Sequence, residues 1–339
     1  MMLISSPRFQ EHTTPPGHPE RPERAEVFDQ VAADWQDAGG RVAAPRAATR
    51  EELLRVHDAA HVDAMAATSG RAVMLDPDTF TSPESYEVAR LAAGAATSAV
   101  DAVLEGDPGT RAFALVRPPG HHAERGRAMG FCFFNNVAVA AAHARARGVA
   151  RVAVVDYDVH HGNGTQHSFY DDPNVLFISS HQYPYYPGTG AAGETGNGAG
   201  RGFTVNLPLA AGATDADYER VFAEVGFPVL RQFRPELILI SAGFDAHADD
   251  PLGGMRLTAA EFVRLTTAIA AVADECCEGR IVALTEGGYD LKALADCTRA
   301  VGFTLGGQTP DVPHAEGDTA RAATTCAAVV PELRAHWKL

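Results

Sequence analysis

Two carboxylates and an imidazole alternate along one short stretch of this chain, Val152 to His167, which reads V-A-V-V-D-Y-D-V-H-H-G-N-G-T-Q-H. An apolar run, Val152 to Val155, leads straight into Asp156, Asp158, His160 and His161, and a Gly-Asn-Gly turn follows. In extended backbone successive side chains point to opposite faces, so Asp156, Asp158 and His160 share one face. A strand that ends by aiming two carboxylates and an imidazole at one spot suits a divalent metal. Oxygen and nitrogen donors without sulfur serve zinc, manganese or ferrous iron about equally well. A lone D-x-H is also an ordinary polar strand end, so the other strand ends decide.

They repeat the pattern. The run at 112–116 is followed by R-P-P-G-H-H, carrying His121 and His122, and the run at 175–178 by Ser179, Ser180 and His181. After 237–240 comes S-A-G-F-D with Asp245, and after 281–284 comes T-E-G-G-Y with Tyr289. In open α/β sheets ligands bind beyond the carboxyl ends of the strands. A metal held by Asp158, His160 and Asp245 leaves a coordination position open, as a catalytic zinc requires. Such a metal acidifies water and polarises a carbonyl. Hydrolysis then needs a base, an acid for the leaving group and a donor for the oxyanion. His121 and His122 can supply the base and the acid, and the Tyr289 hydroxyl the donor. Gly287 and Gly288 give the backbone freedom to set that tyrosine beside the metal.

The elements that must position these residues follow from hydrophobic rhythm. Short apolar runs at 112–116, 152–155, 175–178, 203–207, 237–240 and 281–284 alternate with helical segments at 135–147, 215–232 and 258–277. That alternation predicts βαβ units and a mainly parallel sheet with helices on both faces. Further helices are expected over 23–39, 51–67 and 84–104, with His57 and His61 of the second as packing or hydrogen-bonding histidines. The stretches 9–23 and 75–83 and the Gly-rich segment 188–202 read as long loops inserted in one domain, residues 1–339.

Composition narrows the classes of function. With 46% hydrophobic and 21% charged residues, the chain has the make-up of a globular protein with a large core. A formal net charge of −15 argues against nucleic acid as a partner. No apolar run approaches the length needed to span a membrane, and the start M-M-L-I-S-S-P-R-F is too polar for a signal peptide. The five cysteines, Cys132, Cys276, Cys277, Cys297 and Cys326, are odd in number and lack C-x-x-C spacing. They read as reduced thiols of a cytoplasmic protein.

Seven motifs in order resemble the histone deacetylase superfamily, in particular its class II branch with the bacterial acetylpolyamine amidohydrolases. They are H-P-E-R-P-E-R (18–24), R-P-P-G-H-H-A (117–123), G-F-C-F-F-N-N (130–136), D-Y-D-V-H-H-G-N-G-T-Q (156–166), Y-P-G-T-G (186–190), S-A-G-F-D-A-H (241–247) and E-G-G-Y (286–289). The resemblance implies an arginase–deacetylase α/β fold with an eight-stranded, mostly parallel central sheet and long active-site loops. It implies one catalytic Zn2+, or Fe2+ in its place, on Asp158, His160 and Asp245. His122 becomes the general base, His121 its electrostatic or acid partner, and Tyr289 the transition-state donor. Asp156 backs the first histidine and Asn163 the second. The resemblance also implies a structural K+ or Na+ on Asp156 and Ser179, and a second monovalent-cation loop on Phe169, Asp172, Val175 and Phe203. Gly130, Phe131, Tyr186 and Leu252 would line a narrow substrate tunnel.

The implied substrate is an acylated amine: an acetyl-lysine protein or peptide, an acetylpolyamine, or a small amide. Polyamine-selective relatives carry a glutamate gate where this chain has Leu252, and an apolar gate cannot pair with a charged secondary amine. The bacterial polyamine enzymes use acidic residues on an inserted loop, and Asp76, Asp78 and Glu84 fall near it. Two other readings remain: a binuclear arginase-like hydrolase, and a catalytically weak acyl-lysine binding module. The first needs a carboxylate where His247 stands; for the second, some class II relatives lose the tyrosine to histidine and nearly lose activity, whereas Tyr289 is present here. Family members are often dimers or tetramers, which leaves a homo-oligomer open.

Overall fold

The computed structural model describes residues 1–339. Its strands are β1 (Met2–Ile4), β2 (Arg41–Ala43), β3 (Met74–Asp76), β4 (Thr79–Phe80), β5 (Arg111–Ala114), β6 (Val152–Asp156), β7 (Val175–Gln182), β8 (Thr204–Leu209), β9 (Leu237–Ala242) and β10 (Ile281–Thr285). Its first helices are α1 (Glu23–Asp37), α2 (Arg50–Leu54), α3 (Ala59–Ala66), α4 (Ser85–Glu105), α5 (Asn136–Ala146) and α6 (Asn163–Ser168). They continue with α7 (Asp215–Val221), α8 (Phe227–Phe233), α9 (Ala259–Cys276), α10 (Leu291–Leu305) and α11 (Ala320–Leu333).

Eight strands form one sheet in the order β2-β1-β5-β10-β9-β6-β7-β8, and every pairing is parallel. The strands are apolar on both faces because both faces are covered. Val152, Val154, Leu237, Leu239, Val282 and Leu284 pack into one core with α4 and α5. Their neighbours Ala153, Val155, Ile238, Ile240, Ile281 and Ala283 pack into a larger core with α1 and α7 to α11. This is the expected arginase–deacetylase layout, parallel throughout. The central order β5-β10-β9-β6 sets four strand ends side by side, those that lead to His121, Tyr289, Asp245 and Asp158.

The structure departs from expectation in places. The helix expected over 51–67 is two helices. Thr49 opens α2 with a capping box, and Asp58 in extended conformation restarts the chain as α3. The break turns His57 inward, where Nδ1 meets Glu124 O at 3.0 Å and Nε2 accepts from Asn135 N at 2.9 Å. His61 Nε2 donates to Phe133 O at 2.8 Å, so both histidines do pack and hydrogen-bond. The helix expected over 215–232 contains a π-helical stretch, Phe222–Gly226, ahead of Pro228. The edge strand β2 and its neighbour β1, three residues each, are too short to announce themselves by periodicity. Within the expected loop 75–83, β3 and β4 form a small antiparallel hairpin.

Candidate active site

Asp158, His160 and Asp245 converge: one ligand atom from each lies within 4.8 Å of the others, and all three residues are buried. His160 Nδ1 stands 3.2 Å from Asp158 Oδ1 and 3.2 Å from Asp245 Oδ2. The remaining carboxylate oxygens are fixed by backbone, with Gly287 N donating to Asp158 Oδ2 at 2.8 Å and Val159 N to Asp245 Oδ1 at 2.8 Å. The ion-pair partners of both aspartates are histidines. Burial and the charge of Asp158 lift the Asp245 carboxyl to about 7. Two dry carboxylates and an imidazole nitrogen facing one point form a donor set that fits a divalent cation.

The tandem histidines sit beside this cluster with different partners. His121 Nδ1–H donates to Asp156 Oδ2 at 3.0 Å, while His122 Nδ1 lies 2.7 Å from Asn163 Oδ1. Burial disfavours the charge on His121, but the Asp158 and Asp156 carboxylates outweigh it and raise the imidazole to about 10. Burial and the neighbouring His121 charge push His122 well below the ordinary histidine value. The two rings thus sit in opposed environments, one favouring the imidazolium and the other the neutral imidazole.

A narrow cavity of about 140 Å³ reaches this point. His122, His160, Tyr289, Gly130, Phe131, Tyr186 and Leu252 all line it, so the tunnel residues expected from the sequence meet there. Gly130 has φ +56°, and a Cβ on it would fall 2.5 Å from His122 Cδ2, so only glycine lets this wall close on the ring. Phe131 also holds a positive φ of 68°, and Thr79 Oγ1 of the hairpin accepts from its N–H at 3.1 Å. The Tyr289 ring packs edge-on to Phe131 with centroids 5.7 Å apart, and burial keeps its phenol well above the usual value, hence protonated.

Sequence reasoning left out several residues of the site. Tyr185 stacks on His160 at 5.6 Å and donates from its hydroxyl to Leu252 O at 3.1 Å. Asp78, noted only as part of an acidic loop, lines the cavity itself. Asp250 accepts from Tyr289 N at 2.6 Å, and Glu286 accepts from Gly120 N at 2.6 Å and His121 N at 3.1 Å. Glu286 lies inside the E-G-G-Y motif, and that adjacency was the available signal. His247, where a binuclear site would need a carboxylate, instead accepts from Asp249 N at 3.2 Å.

The residues expected to hold monovalent cations lie outside the cavity. Asp156 and Ser179 are register partners on β6 and β7, with Ser179 Oγ 3.0 Å from His181 Nδ1. Phe169, Asp172, Val175 and Phe203 cluster at the opposite end of β7. There the Phe169, Asp172 and Phe203 carbonyls accept backbone N–H groups from Asp172, Val175 and Phe177.

A family model for the histone deacetylase domain matches residues 18–305. A probable deacetylase of Archaeoglobus fulgidus is 40% identical over 299 residues, spanning 87% of this chain and 83% of that protein. The polyamine deacetylase HDAC10 of Homo sapiens is 39% identical over 341 residues; the match spans 94% of this chain but 49% of the human protein. The crystal structure of the HDA15 HD domain superposes with a TM-score of 0.90 at 38% identity, covering 99% of this chain and 95% of that one.

Proposed function

This chain belongs to the histone deacetylase family, and from that premise we propose a zinc-dependent amidohydrolase that removes an acetyl or related acyl group from an amine. The substrate class is an acetyl-lysine side chain, an acetylpolyamine or a small amide. The observation that carries this reading is the buried Asp158–His160–Asp245 cluster, set beside two buried histidines, one bonded to a carboxylate and one to an amide, at a narrow aromatic cavity. Residues 1–339 are taken as one catalytic domain. Potassium or sodium on Asp156 and Ser179, and on the Phe169–Phe203 carbonyl cluster, belongs to the same reading. The free cysteines fit a reducing, cytoplasmic setting, and no helix is long and apolar enough to cross a membrane.

Zinc held by Asp158, His160 and Asp245 would supply Lewis acidity, polarising the acyl carbonyl and acidifying water. The chain's own groups do the rest. His122, neutral and facing the cavity, takes a proton from the attacking water. His121, fixed as a cation by Asp156, stabilises negative charge that grows beside it and keeps His122 uncharged. The Tyr289 hydroxyl donates a hydrogen bond to the oxyanion as the carbonyl becomes tetrahedral. Phe131, Tyr186 and Leu252 grip an aliphatic stem and exclude water. The dyad returns a proton to the departing amine.

The test is turnover of an acetyl-lysine peptide and of N-acetylated polyamines by zinc-loaded protein, each paired with Tyr289→Phe. The expected result is peptide turnover that falls by about 100-fold or more in the variant, as for loss of one oxyanion donor. No turnover of any substrate, or equal turnover in the variant, would overturn the reading.

A further inference from the structure

The reading of His122 as a base demands one tautomer. A neutral imidazole carries a single N–H, and the partner of one nitrogen decides which nitrogen keeps the lone pair. For Nε2 to accept a proton in the cavity, Nδ1 must hold the hydrogen and donate it to Asn163 Oδ1 at 2.7 Å. A carboxylate at position 163 would impose this outright. An amide does not, because rotation by half a turn presents NH2 in place of oxygen and selects the opposite tautomer.

The surroundings of Asn163 settle its orientation. Nδ2 donates to Glu124 Oε1 and faces His122 O at 3.4 Å and Met129 Sδ at 3.6 Å. The reversed amide would press Oδ1 against an anionic carboxylate, a carbonyl and a thioether at once. Of these, Glu124 carries the charge. His167 Nδ1 lies 2.9 and 3.1 Å from its two oxygens, and burial, which resists ionisation, is outweighed by His167 and Asn163 so that the carboxyl lies below its ordinary value. The Glu124 backbone is clamped as well, donating to Arg127 O at 2.9 Å and meeting His57 Nδ1 at 3.0 Å through its carbonyl. The Asn163 amide and His167, itself 46% exposed, thus hold the carboxylate from two sides.

We propose that Glu124, braced by His167, is a positioning residue: it locks the Asn163 amide with oxygen toward His122 and so keeps the base in its Nδ1–H tautomer with Nε2 free in the cavity. This rests on the reading of His122 as the base. Glu124 is not among the residues that line the cavity. Its effect depends on residue 163 being an amide, which yields a specific interaction between the two positions. An aspartate at 163 needs no lock and would be repelled by Glu124.

The test uses zinc-loaded parent, Glu124→Ala, Asn163→Asp and the double variant, with kcat and KM measured separately. We expect each single variant to lose about ten-fold or more in kcat with KM nearly unchanged, and the double variant to recover to within a few-fold of the parent. Should Glu124→Ala not fold, Glu124→Gln keeps the shape while allowing the amide to turn, and is expected to lose less. In parallel, the ¹⁵N shifts of the His122 ring should report a single Nδ1–H tautomer in the parent and a mixture when Glu124 is replaced. Parent-like kcat in Glu124→Ala, or a loss that Asn163→Asp fails to rescue, would overturn the proposal. So would a His122 tautomer indifferent to Glu124. A parent that deacylates nothing would sink the functional reading instead, while the ring shifts still judge this one.

Discussion

Glu20 is fully buried and takes bonds from two guanidinium groups, Arg117 Nε and Nη2 at 2.6 and 2.8 Å and Arg24 Nη1 at 3.0 Å. Arg24 in turn donates to Gly288 O at 2.7 Å and lies over the Tyr289 ring at 5.0 Å, so this carboxylate steadies the tyrosine without approaching it. Burial opposes ionisation of Glu20, but Arg117 leads the contacts that hold its carboxyl well below the usual range. The sign follows from linkage. With the folded pKa below the unfolded one, the stabilisation is complete above about pH 4.3 and is lost as the pH falls from there toward the folded value. Glu20→Gln should therefore destabilise by about 3–5 kcal/mol at pH 7, since it strands buried guanidinium charge. That gap should narrow below roughly pH 4. Chemical denaturation of both proteins at pH 7, 5 and 3.5 decides, and a gap that stays constant would refute the account. At the cavity mouth, Leu252→Glu should raise the kcat/KM ratio of acetylpolyamine over acetyl-lysine peptide by about ten-fold, ~1.4 kcal/mol; competing-substrate assays showing no change would exclude a gate there. Asp158, His160 and Asp245 were legible in the sequence because each lies within five residues of the end of an apolar run. Glu20 and Glu124 were not, because a motif names a residue without naming a partner such as Arg117, 97 positions away.

At the scale of elements, the strand ends carry the constraint. Gly243 follows β9 and Gly287 follows β10. A Cβ at Gly243 would sit 2.0 Å from Asp158 Oδ2, and one at Gly287 2.0 Å from Asp245 Oδ2 and 2.7 Å from Asp158 Oδ2. These glycines are small because carboxylates occupy the space, and the Gly287 N–H is one of the groups that orient them. Gly287→Ala should displace both aspartates and weaken metal affinity by about 10–100-fold, the usual cost of disturbing the groups that orient ligands. Competition with a chromophoric chelator measures this, and unchanged affinity would show that the cluster tolerates the shift. The central strands could be read from the sequence since burial on both faces makes each a continuous apolar run. The hairpin of β3 and β4 could not, as its strands span three and two residues and owe their place to tertiary contacts such as Thr79 with Phe131. The break between α2 and α3 was likewise hidden, for apolar periodicity survives a turn that the buried hydrogen bonds of His57 require.

On the scale of the whole molecule, the parallel sheet lines up the ends of β5, β10, β9 and β6 and so gathers residues more than a hundred positions apart into one dry cluster. This concentration of charge has a consequence for stability. Asp158 and Asp245 are both 0% exposed and face the same imidazole nitrogen; His121 and His160 offset the burial of Asp158, but burial and the Asp158 charge work against an ionised Asp245 until a cation joins them. A metal that binds only the folded protein stabilises it by RT ln(1 + [L]/Kd), about 4 kcal/mol at a free concentration ~1,000 times Kd. For a chain of this length that corresponds to a rise in Tm of roughly 5–10 °C. Thermal unfolding should therefore show chelated protein melting several degrees below zinc-loaded protein, with the difference growing as free zinc increases. Asp245→Asn removes one of the clashing charges together with a ligand, so its chelated form should melt close to, or above, the chelated parent while its response to zinc is largely lost. A parent whose melting ignores zinc would refute a zinc site at this cluster. A variant that still responds fully would move the metal away from Asp245.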